Sequence, residues 1–457
     1  MGGWIKGALF ATLVFGASWV GAVSYWRASN RMPSTLDLFA WMAALPLGVL
    51  LAVWIGRRIA ASRAAPASAP APDTAVQAPA APSALPALAI LASSIRTPHG
   101  LAASELAQAI GAGKARAALD PELVDEEGYP VFSARADAAV EDEIKDDIHT
   151  WRVGAALGDP LWTPEQWRAL ALGSAVAKEL LLLAGGHPQL LAPPNGPAAT
   201  PPLLRIHVGL TPDWTEAQRA TLDAWLATLA VRAGWPAQQV RVDSLPVPVS
   251  TTLTQLAMQA GPQSEPVFAM VLAFGSCIGE AQVEQLAMNG ALFTSANQQG
   301  LVPGEAAAGL LLGDGVQAAL FNPAAPRLQL ASAARGAEKA GRRKPDTALL
   351  SGLAATLLPD PESAASVSAV FADTGHRSAS LVELMTFAGQ AAPQLDLAAD
   401  LKMVGGACGH CGEAPFLAAL ALAHQHANET AGAALCVGNE DPLQRTAALV
   451  RPAAALS

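Results

Sequence analysis

The chain of 457 residues has few charged residues, few cysteines and no long basic stretch. Charged residues make up 14% of it, against about 25% in an average soluble protein. Four cysteines in so long a chain exclude a disulfide-framed secreted scaffold. The net charge of −10 argues against a nucleic-acid binder. The 39 glycines and 35 prolines are too few for collagen or a wholly disordered protein.

Hydrophobic residues are concentrated near the amino terminus, in two runs long enough to cross a membrane. The first run spans 4–26 with Lys6 as its only charge, and the second spans 36–56 with Asp37 at its start. About 20 apolar residues in a helix cross the hydrocarbon of a bilayer. A cleaved signal peptide is the alternative for the first run, but a compact basic start and a small-residue cleavage site are missing. Residues 1–60 are therefore predicted to form a transmembrane helix hairpin.

The cations that flank these runs predict the orientation of the hairpin. The loop between the runs carries two arginines, and the outer flanks carry four Lys or Arg side chains besides the terminal amine. They are Arg27 and Arg31 in the loop, and Lys6, Arg57, Arg58 and Arg63 outside it. Because basic flanks stay on the cytoplasmic side, both ends of the hairpin are predicted to be inside. The prediction is an inner-membrane protein with two spans and a cytoplasmic large domain.

The rest of the chain divides into a linker and one large domain. Residues 61–85 are rich in Ala, Pro and Ser, which predicts a semi-extended spacer. Residues 86–457 alternate apolar strand-like runs with helix-like segments, which is typical of an α/β domain with buried strands. The strand-like runs are 88–95, 203–210, 267–274, 307–312 and 366–371. The helix-like segments include 103–112, 164–183, 215–233 and 415–426.

Six segments of the large domain together resemble a known enzyme family. They are 87–100 (ALAILASSIRTPHG), 240–260 (VRVDSLPVPVSTTLTQLAMQA), 267–277 (VFAMVLAFGSC), 300–312 (GLVPGEAAAGLLL), 370–383 (VFADTGHRSASLVE) and 401–423 (LKMVGGACGHCGEAPFLAALALA). In this order they resemble motifs of the ketoacyl synthases, members of the thiolase superfamily. The first matches the opening strand, the second the nucleophile segment, and the last the helix entry with the second histidine. The resemblance implies a thiolase-like, duplicated α/β domain over 86–457.

The catalytic positions of that family can be compared with this sequence one by one. The family uses a Cys thiolate at a helix N-terminus and two histidines, but the first cysteine here is Cys277 and Pro246 stands at the nucleophile position. The first histidine falls on Ala372, with His376 four positions later, and His410 matches the second. Without a nucleophile there is no covalent acyl intermediate. The resemblance therefore implies a pseudoenzyme with a vestigial pocket at these four positions and no cofactor.

The motif Cys408-Gly409-His410-Cys411 before a predicted helix permits three interpretations. Helix amides could lower the pKa of Cys408 and make a redox centre. Cys408 and Cys411 could bind zinc with His424 or His426. The third and favoured interpretation is a tight glycine-rich turn in which small buried thiols pack like alanine. A reversible disulfide would also need an oxidising compartment, which the predicted topology does not provide.

Several charged residues have structural interpretations. Glu305 in the PGEAAAG segment is predicted to be a buried carboxylate that accepts backbone hydrogen bonds. An acidic patch between residues 125 and 147 predicts a solvated face, with a docking surface for a basic partner as the alternative. Its members are Asp125, Glu126, Glu127, Glu141, Asp142, Glu143, Asp146 and Asp147. The basic residues Lys339, Arg342, Arg343 and Lys344 predict a solvated loop.

The two-span anchor, the linker and the ketosynthase-like body together resemble the lipase-adaptor family of type VI secretion systems. That resemblance implies a membrane-anchored adaptor that binds a secreted lipase-type effector or a secretion component. Two alternatives remain open. One is a protein that binds an acyl chain or an acyl-carrier protein in the vestigial cleft. The other is an enzyme with altered chemistry at His376, His410 and Cys408. A homodimer is expected to pair across 267–274.

Overall fold

The computed structural model describes residues 85–155, 158, 160–191, 201–245, 247–261, 265–336, 346–430 and 432–453. The predicted hairpin of residues 1–60, all of the linker except Leu85, and the basic loop at 339–344 lie outside them. None of the helices within the described ranges combines the length and the apolar composition that a membrane span requires.

The described residues contain one large mixed sheet and one small hairpin. The strands are β1 (Leu88–Arg96), β2 (Ala118–Val124), β3 (Pro130–Ser133), β4 (Leu204–Gly209), β5 (Val240–Leu245), β6 (Phe268–Ser276), β7 (Glu305–Gly313), β8 (Arg327–Ala334), β9 (Val367–Ala372), β10 (Leu401–Met403), β11 (Ala433–Gly438) and β12 (Gln444–Arg451). The order in the large sheet is β10-β9-β11-β12-β8-β1-β7-β6-β4-β5, and β2 pairs with β3. All five strand-like runs of the sequence analysis are strands, so these predictions are confirmed.

The topology of the sheet confirms an internal duplication. The first half uses β1, β4, β5, β6 and β7 and the second uses β8, β9, β10, β11 and β12. In each half the first strand pairs antiparallel with the fifth, and the fifth strand pairs antiparallel with the fourth. The second strand lies between the fourth and the third and is parallel to both. The halves meet at the antiparallel pairing of β1 with β8.

Thirteen α-helical segments accompany the strands in the described residues. They are α1 (Ala103–Gly111), α2 (Glu141–Ala155), α3 (Pro164–Ala184), α4 (Glu216–Arg232), α5 (Val249–Gln259), α6 (Glu280–Met288), α7 (Gly315–Phe321), α8 (Ala348–Leu357), α9 (Pro361–Ala365), α10 (Ser378–Ala391), α11 (Leu397–Asp400), α12 (Gly405–Cys408) and α13 (Ala414–Glu429). The four helix-like segments named from the sequence correspond to α1, α3, α4 and α13. Thr163 and Thr215 begin α3 and α4 with capping boxes that each satisfy two backbone amides.

Helices α5 and α13 occupy equivalent places and lie between the two halves. Each follows the third strand of its half, and each contacts strands of both halves. A helix covered on all sides must be apolar all round, and every residue of α13 from Ala414 to Ala423 is buried. The sequence explains this position, since Ala and Leu dominate α13. The segment that resembles the nucleophile segment of ketoacyl synthases forms β5 and α5.

The expected dimer pairing across 267–274 is wrong. Residues 268–273 belong to β6 and are hydrogen-bonded to β4 on one side and to β7 on the other. No backbone donors or acceptors remain there for another chain to pair with. In the sheet as described, the end strands are β5 and β10.

Candidate functional site

A small cleft lies where β9 and β11 end and α13 begins. Its volume is about 40 Å³. It is lined by Leu301, Val302, Asp373, Gly375, His376, Gly405, Gly409, His410, Cys411, Gly412, Pro415 and Glu440. In open α/β sheets, ligands bind at the carboxyl ends of parallel strands, which is where this cleft lies.

The wall of the cleft is a tight turn held against the segment before β7. The backbone N–H of His410 donates to the carbonyl of Val302 at 2.8 Å, and that of Gly304 donates to the carbonyl of His410 at 3.2 Å. Gly409 adopts a φ of 67°, a conformation that favours glycine. A Cβ on Gly304 would lie 2.0 Å from the carbonyl oxygen of Cys408. The glycines therefore allow two backbones to approach closely and fix the position of His410.

Two carboxylates that the sequence analysis did not name line the cleft. Asp373 follows β9, and its Oδ1 accepts hydrogen bonds from the backbone N–H groups of Asn439 at 2.8 Å and Glu440 at 3.2 Å. Burial raises the pKa of Asp373 to about 7, and the nearby charge of Glu440 acts in the same direction. Glu440 accepts from the backbone N–H of Gly375 at 3.0 Å and from Arg377 Nε at 2.9 Å.

The structure brings the two predicted histidines to this one cleft. His376 is exposed at the rim, and its ring contacts Phe293 edge-on with centroids 4.9 Å apart. His410 lies on the turn, where desolvation by the surrounding protein lowers its pKa and the charge of Glu440 partly offsets this. Ala372, which takes the place of the first family histidine, is fully buried at the end of β9. It does not reach the cleft.

The four cysteines are free thiols, and the two in the Cys-Gly-His-Cys motif are buried. The interpretation in which helix amides lower the pKa of Cys408 is not supported, because Cys408 is the last residue of α12 and the next helix, α13, begins only at Ala414. Burial raises the pKa of Cys408 to about 12 and raises the pKa of Cys411 well above its usual value. Both thiols pack as small apolar groups, which is the third interpretation of this motif.

A zinc site that combines these cysteines with His424 or His426 is also wrong. Across the described ranges, no group of three or more His, Cys, Asp or Glu side chains is placed to hold a metal. The Nδ1 atom of His424 is 2.9 Å from the hydroxyl of Ser93, and Nε2 of His426 is 2.7 Å from that of Ser368. Both histidines are in the last three turns of α13, whereas the cysteines precede its first turn.

Glu305 is the buried structural carboxylate that the sequence predicted. It begins β7 with no exposed surface, and its Oε1 accepts from the backbone N–H of Ala136 at 2.6 Å. Its Oε2 accepts from Arg168 Nε at 2.8 Å and from the hydroxyl of Ser276 at 3.0 Å. The pairing with Arg168 was not predicted, since the two residues are 137 positions apart. Glu305 joins β7 to α3.

No thiol lies at the start of α5, where the resemblance places the family nucleophile. Pro246 itself lies outside the described residues. The helix is preceded by Pro248 and begins with Val249 and Ser250. The hydroxyl of Ser250 is buried and accepts from Gln444 Nε2 at 2.7 Å. A second cavity of about 30 Å³ lies here, lined by Ser250, Asp373, Glu413, Phe416, Gly438, Asp441, Gln444 and Thr446.

This arrangement can move protons but offers little space. A carboxyl group with a pKa near 7 accepts and donates protons at neutral pH. One liquid water molecule occupies roughly 30 Å³ and ligand pockets roughly 300–1,000 Å³, so cavities of about 40 and 30 Å³ hold only a few waters. The carboxylates could have been found from the sequence, because Asp373 and Glu440 each follow a buried strand directly or after one residue.

Comparisons with solved structures identify the fold. No family model matches the chain, and no curated protein matches it. Among solved structures, it is similar to an oxazolomycin ketosynthase domain from Streptomyces albus, with 15% identity, 80% of this chain and 75% of that chain covered, and a TM-score of 0.57. It is also similar to the ketosynthase from module 6 of the bacillaene synthase of Bacillus subtilis, with 13% identity, coverage of 80% and 72%, and a TM-score of 0.55.

A third similar structure contains a protein partner. It is a type II polyketide ketosynthase in complex with its acyl-carrier protein, with 11% identity, coverage of 80% and 99%, and a TM-score of 0.53. At these identities the likeness establishes the fold alone. The chain therefore has the thiolase-like α/β fold of the ketosynthases, as the order of its six segments predicted.

Proposed function

We propose that this protein is a ketosynthase-fold adaptor that binds a protein partner and does not condense acyl chains. The proposed partner is a secreted lipase-type effector, or a secretion component, of a type VI secretion system. The proposed anchor is the hairpin of residues 1–60, which would hold the large domain at the cytoplasmic face of the inner membrane. Function belongs to sites rather than to folds, so the proposal depends on what the ketosynthase site has become.

The observation that carries the proposal is the absence of a usable nucleophile in the described part of the site. Cys408, Cys411 and Cys436 have no accessible thiol, and burial raises the pKa of each. Burial also raises the pKa of Cys277 to about 12. The thiolate is the attacking form of cysteine, so thiols with raised pKa values are poor nucleophiles.

The dimensions of the cleft support binding of a protein rather than of an acyl chain. The first alternative, an acyl-chain binding protein, requires a long apolar tunnel near His376 and His410. The described part of the cleft has a volume of about 40 Å³. A partner that uses the outer surface does not need such a tunnel. The related alternative of an acyl-carrier partner is supported by the similar ketosynthase that was solved with its carrier protein.

A specific observation favours a second candidate function, which is altered acid–base chemistry. Asp373, His376 and His410 line one cleft, and the pKa of Asp373 is raised to about 7. Such a set could transfer protons to and from a very small substrate. Cys408, which the sequence analysis included in this candidate, is buried and does not line the cleft.

Capture of partners by the full-length chain tests the proposal. A tagged chain is expressed at native level in its own cell, cross-linked and purified, and the captured proteins are identified by mass spectrometry. We expect a lipase-type protein or a secretion component, and we expect no turnover of an acyl thioester by the purified chain. Co-purified lipid with no protein partner would instead support the acyl-chain alternative.

A double variant separates the adaptor from the acid–base enzyme. His376→Ala with His410→Ala removes both imidazoles from the cleft. The adaptor proposal expects unchanged partner capture, because neither ring is needed for an outer docking surface. The matched control is Ser363→Ala, a change at a residue that does not line the cleft. Measurable turnover that this double variant abolishes, or turnover of an acyl thioester by the parent chain, would contradict the adaptor proposal.

A further inference from the structure

The duplicated topology reveals an insertion in the first half of the domain. Helices α3 and α8 are equivalent, because each follows the first strand of its half and packs on the first and fifth strands. The 67 residues of 97–163 separate β1 from α3 and hold α1, β2, β3 and α2. The 13 residues of 335–347 separate β8 from α8. We define residues 97–163 as the insertion.

The insertion carries most of the net negative charge of the chain, with 13 Asp or Glu against five Lys or Arg. Residues 120–147 contain 11 Asp or Glu and two Lys or Arg, a net charge of −9 against −10 for the whole chain. The long helix α2 turns Ile144, Ile148 and Arg152 inward. Its outward face exposes Asp142, Glu143, Asp146 and Asp147. Asp147 pairs with Lys178 at 3.0 Å, but the other three have no ion-pair partner within the described residues.

The same face of α2 continues into an open groove with an aromatic side. The groove has a volume of about 540 Å³ and is lined by Asp146, Asp147, Thr150, Trp151, Gly154, Ala155 and Arg232. Trp151 packs on Trp225 with centroids 5.3 Å apart, and Arg232 lies over the Trp225 ring. Val153, on the same outward face, is 68% exposed. The groove is thus lined by the acidic Asp146 and Asp147 and by Trp151, and the one cation among its described lining residues, Arg232, is directed onto the Trp225 ring.

We infer that this face of α2 is the docking surface for a cationic amphipathic segment of a protein partner. Lysines or arginines of the segment pair with Asp142, Glu143 and Asp146, and its apolar side chains pack against Trp151 and Val153. Like charge repels anionic lipid headgroups and nucleic-acid phosphates from the same face. Of the macromolecules that a cell offers, a cationic protein segment is the one whose charge complements it. This inference rests on the proposed adaptor function and names its partner's chemistry.

A labelled peptide tests the inference on the full-length chain. The probe is a fluorescein-labelled amphipathic helical peptide with lysines on one face and leucines on the other. Its control is the same peptide with glutamates in place of the lysines. Fluorescence anisotropy measures the Kd of each. We expect the lysine peptide to bind with an affinity that falls as salt rises, and we expect no binding of the glutamate peptide.

Two triple variants that remove negative charge localise the binding. The triple variant Asp142→Asn, Glu143→Gln, Asp146→Asn removes three charges, and Glu280→Gln, Glu284→Gln, Glu362→Gln removes three exposed charges outside the insertion. Exposed ion pairs contribute roughly 0.2–1 kcal/mol each, so the first triple is expected to weaken binding about tenfold and the second about twofold or less. Equal weakening by both triples would show attraction to net charge alone and would overturn the inference.

A glycine substitution blocks the groove without removing charge from the acidic face. A Cβ on Gly154 would meet no atom within 4 Å, so Gly154→Lys is accommodated and places a cation in the groove. Gly111→Lys is the matched control, since a Cβ there also meets nothing and Gly111 also lies in the last turn of a helix of the insertion. We expect about tenfold weaker peptide binding for Gly154→Lys and unchanged binding for Gly111→Lys. Unchanged binding for both overturns the inference.

The same variants separate the failure of this inference from that of the adaptor proposal. If a lipase-type partner is captured equally by the parent chain and by Gly154→Lys, the adaptor function stands and the docking surface is elsewhere. If the peptide requires the acidic face but the cell yields no partner, the surface stands and the adaptor proposal fails.

Discussion

At the scale of single residues, the cleft beside β9 and β11 is lined by carboxylates that are held by hydrogen bonds. Asp373 holds its Oδ1 against two backbone amides, and Glu440 is engaged by Arg377. Glu413 directly precedes α13, and burial raises its pKa. Asp373 and Glu440 connect the segments that follow β9 and β11.

The raised pKa of Asp373 predicts a particular dependence of stability on pH. An acid whose folded pKa is about 7 binds its proton more tightly in the folded state than in the unfolded one, where 3.8 applies. Its contribution to stability is therefore complete below about pH 4 and is lost as pH rises to about 7, by at most about 4 kcal/mol. Asp373→Asn retains the Oδ1 acceptor and cannot ionise. It should match the parent chain near pH 4 and be more stable near pH 8.

Urea unfolding of the two chains at several pH values measures this difference. Other groups titrate over the same range, but they titrate in both chains and cancel in the difference. The matched control is Asp142→Asn, which removes an exposed carboxylate from α2. A stability difference between Asp373→Asn and the parent that stays constant with pH would contradict the prediction.

Glu305 allows a second test at this scale. Glu305→Gln keeps the size of the side chain but removes the buried anionic partner of Arg168, whose side chain is 14% exposed and keeps only Glu141 at 3.8 Å. Removal of one member of a buried pair costs about 3–5 kcal/mol. Glu265→Gln is the control, because Glu265 is 83% exposed where it pairs with Arg205, and exposed pairs contribute less than about 1 kcal/mol. The shift in the urea midpoint measures both, and equal shifts would exclude a structural role for Glu305.

At the scale of elements, the sequence predicted β1, β4, β6, β7 and β9 and missed the other strands of the large sheet, including β11, which is apolar and buried throughout. Strands β6 and β7 are long buried runs, which the sequence displays directly. By contrast, β5 includes Arg241 and Asp243, since an end strand of the sheet tolerates charge on its open side. Strand β10 has three residues, too few for a pattern. Strand β5 was not recognised because it is charged, and strand β10 because it is short. Both are identified in the structure by the strands with which they pair.

Two glycine substitutions, one in the turn beside the cleft and one in helix α8, are expected to have opposite effects on stability. Gly304→Ala puts a Cβ 2.0 Å from the Cys408 carbonyl, so the turn that carries His410 must move. A clash of this kind costs about 1–3 kcal/mol. Gly352 lies within α8 with nothing within 4 Å of its Cβ position. Gly352→Ala should therefore stabilise the chain by about 0.5–1 kcal/mol. Thermal unfolding measures both, and a neutral Gly304→Ala would show that the turn is not tightly packed.

At the scale of the whole molecule, the site illustrates what a sequence can and cannot reveal. His376, His410 and Cys411 were named from motifs, and the structure places all three in one cleft. Asp373 and Glu440 were missed although both follow buried strands, because their meeting depends on β9 and β11 being neighbours. The acidic residues of 125–147 were named from the sequence, but the groove beside them is formed by the folded insertion, which the sequence alone does not show.

The predicted anchor of residues 1–60 and its basic flank can be tested by cell fractionation and protease protection. Two apolar helices of about 20 residues each hold a protein in a bilayer. We expect the full chain in the membrane fraction and a chain that lacks residues 1–60 in the soluble fraction. Protease added outside spheroplasts should leave the large domain intact, since the cations that flank the hairpin favour the cytoplasmic side. The triple variant Arg57→Gln, Arg58→Gln, Arg63→Gln should weaken the preference for the cytoplasmic side. The control is Arg327→Gln. Cleavage of the parent domain from outside would contradict the orientation, and a full chain in the soluble fraction would contradict the anchor.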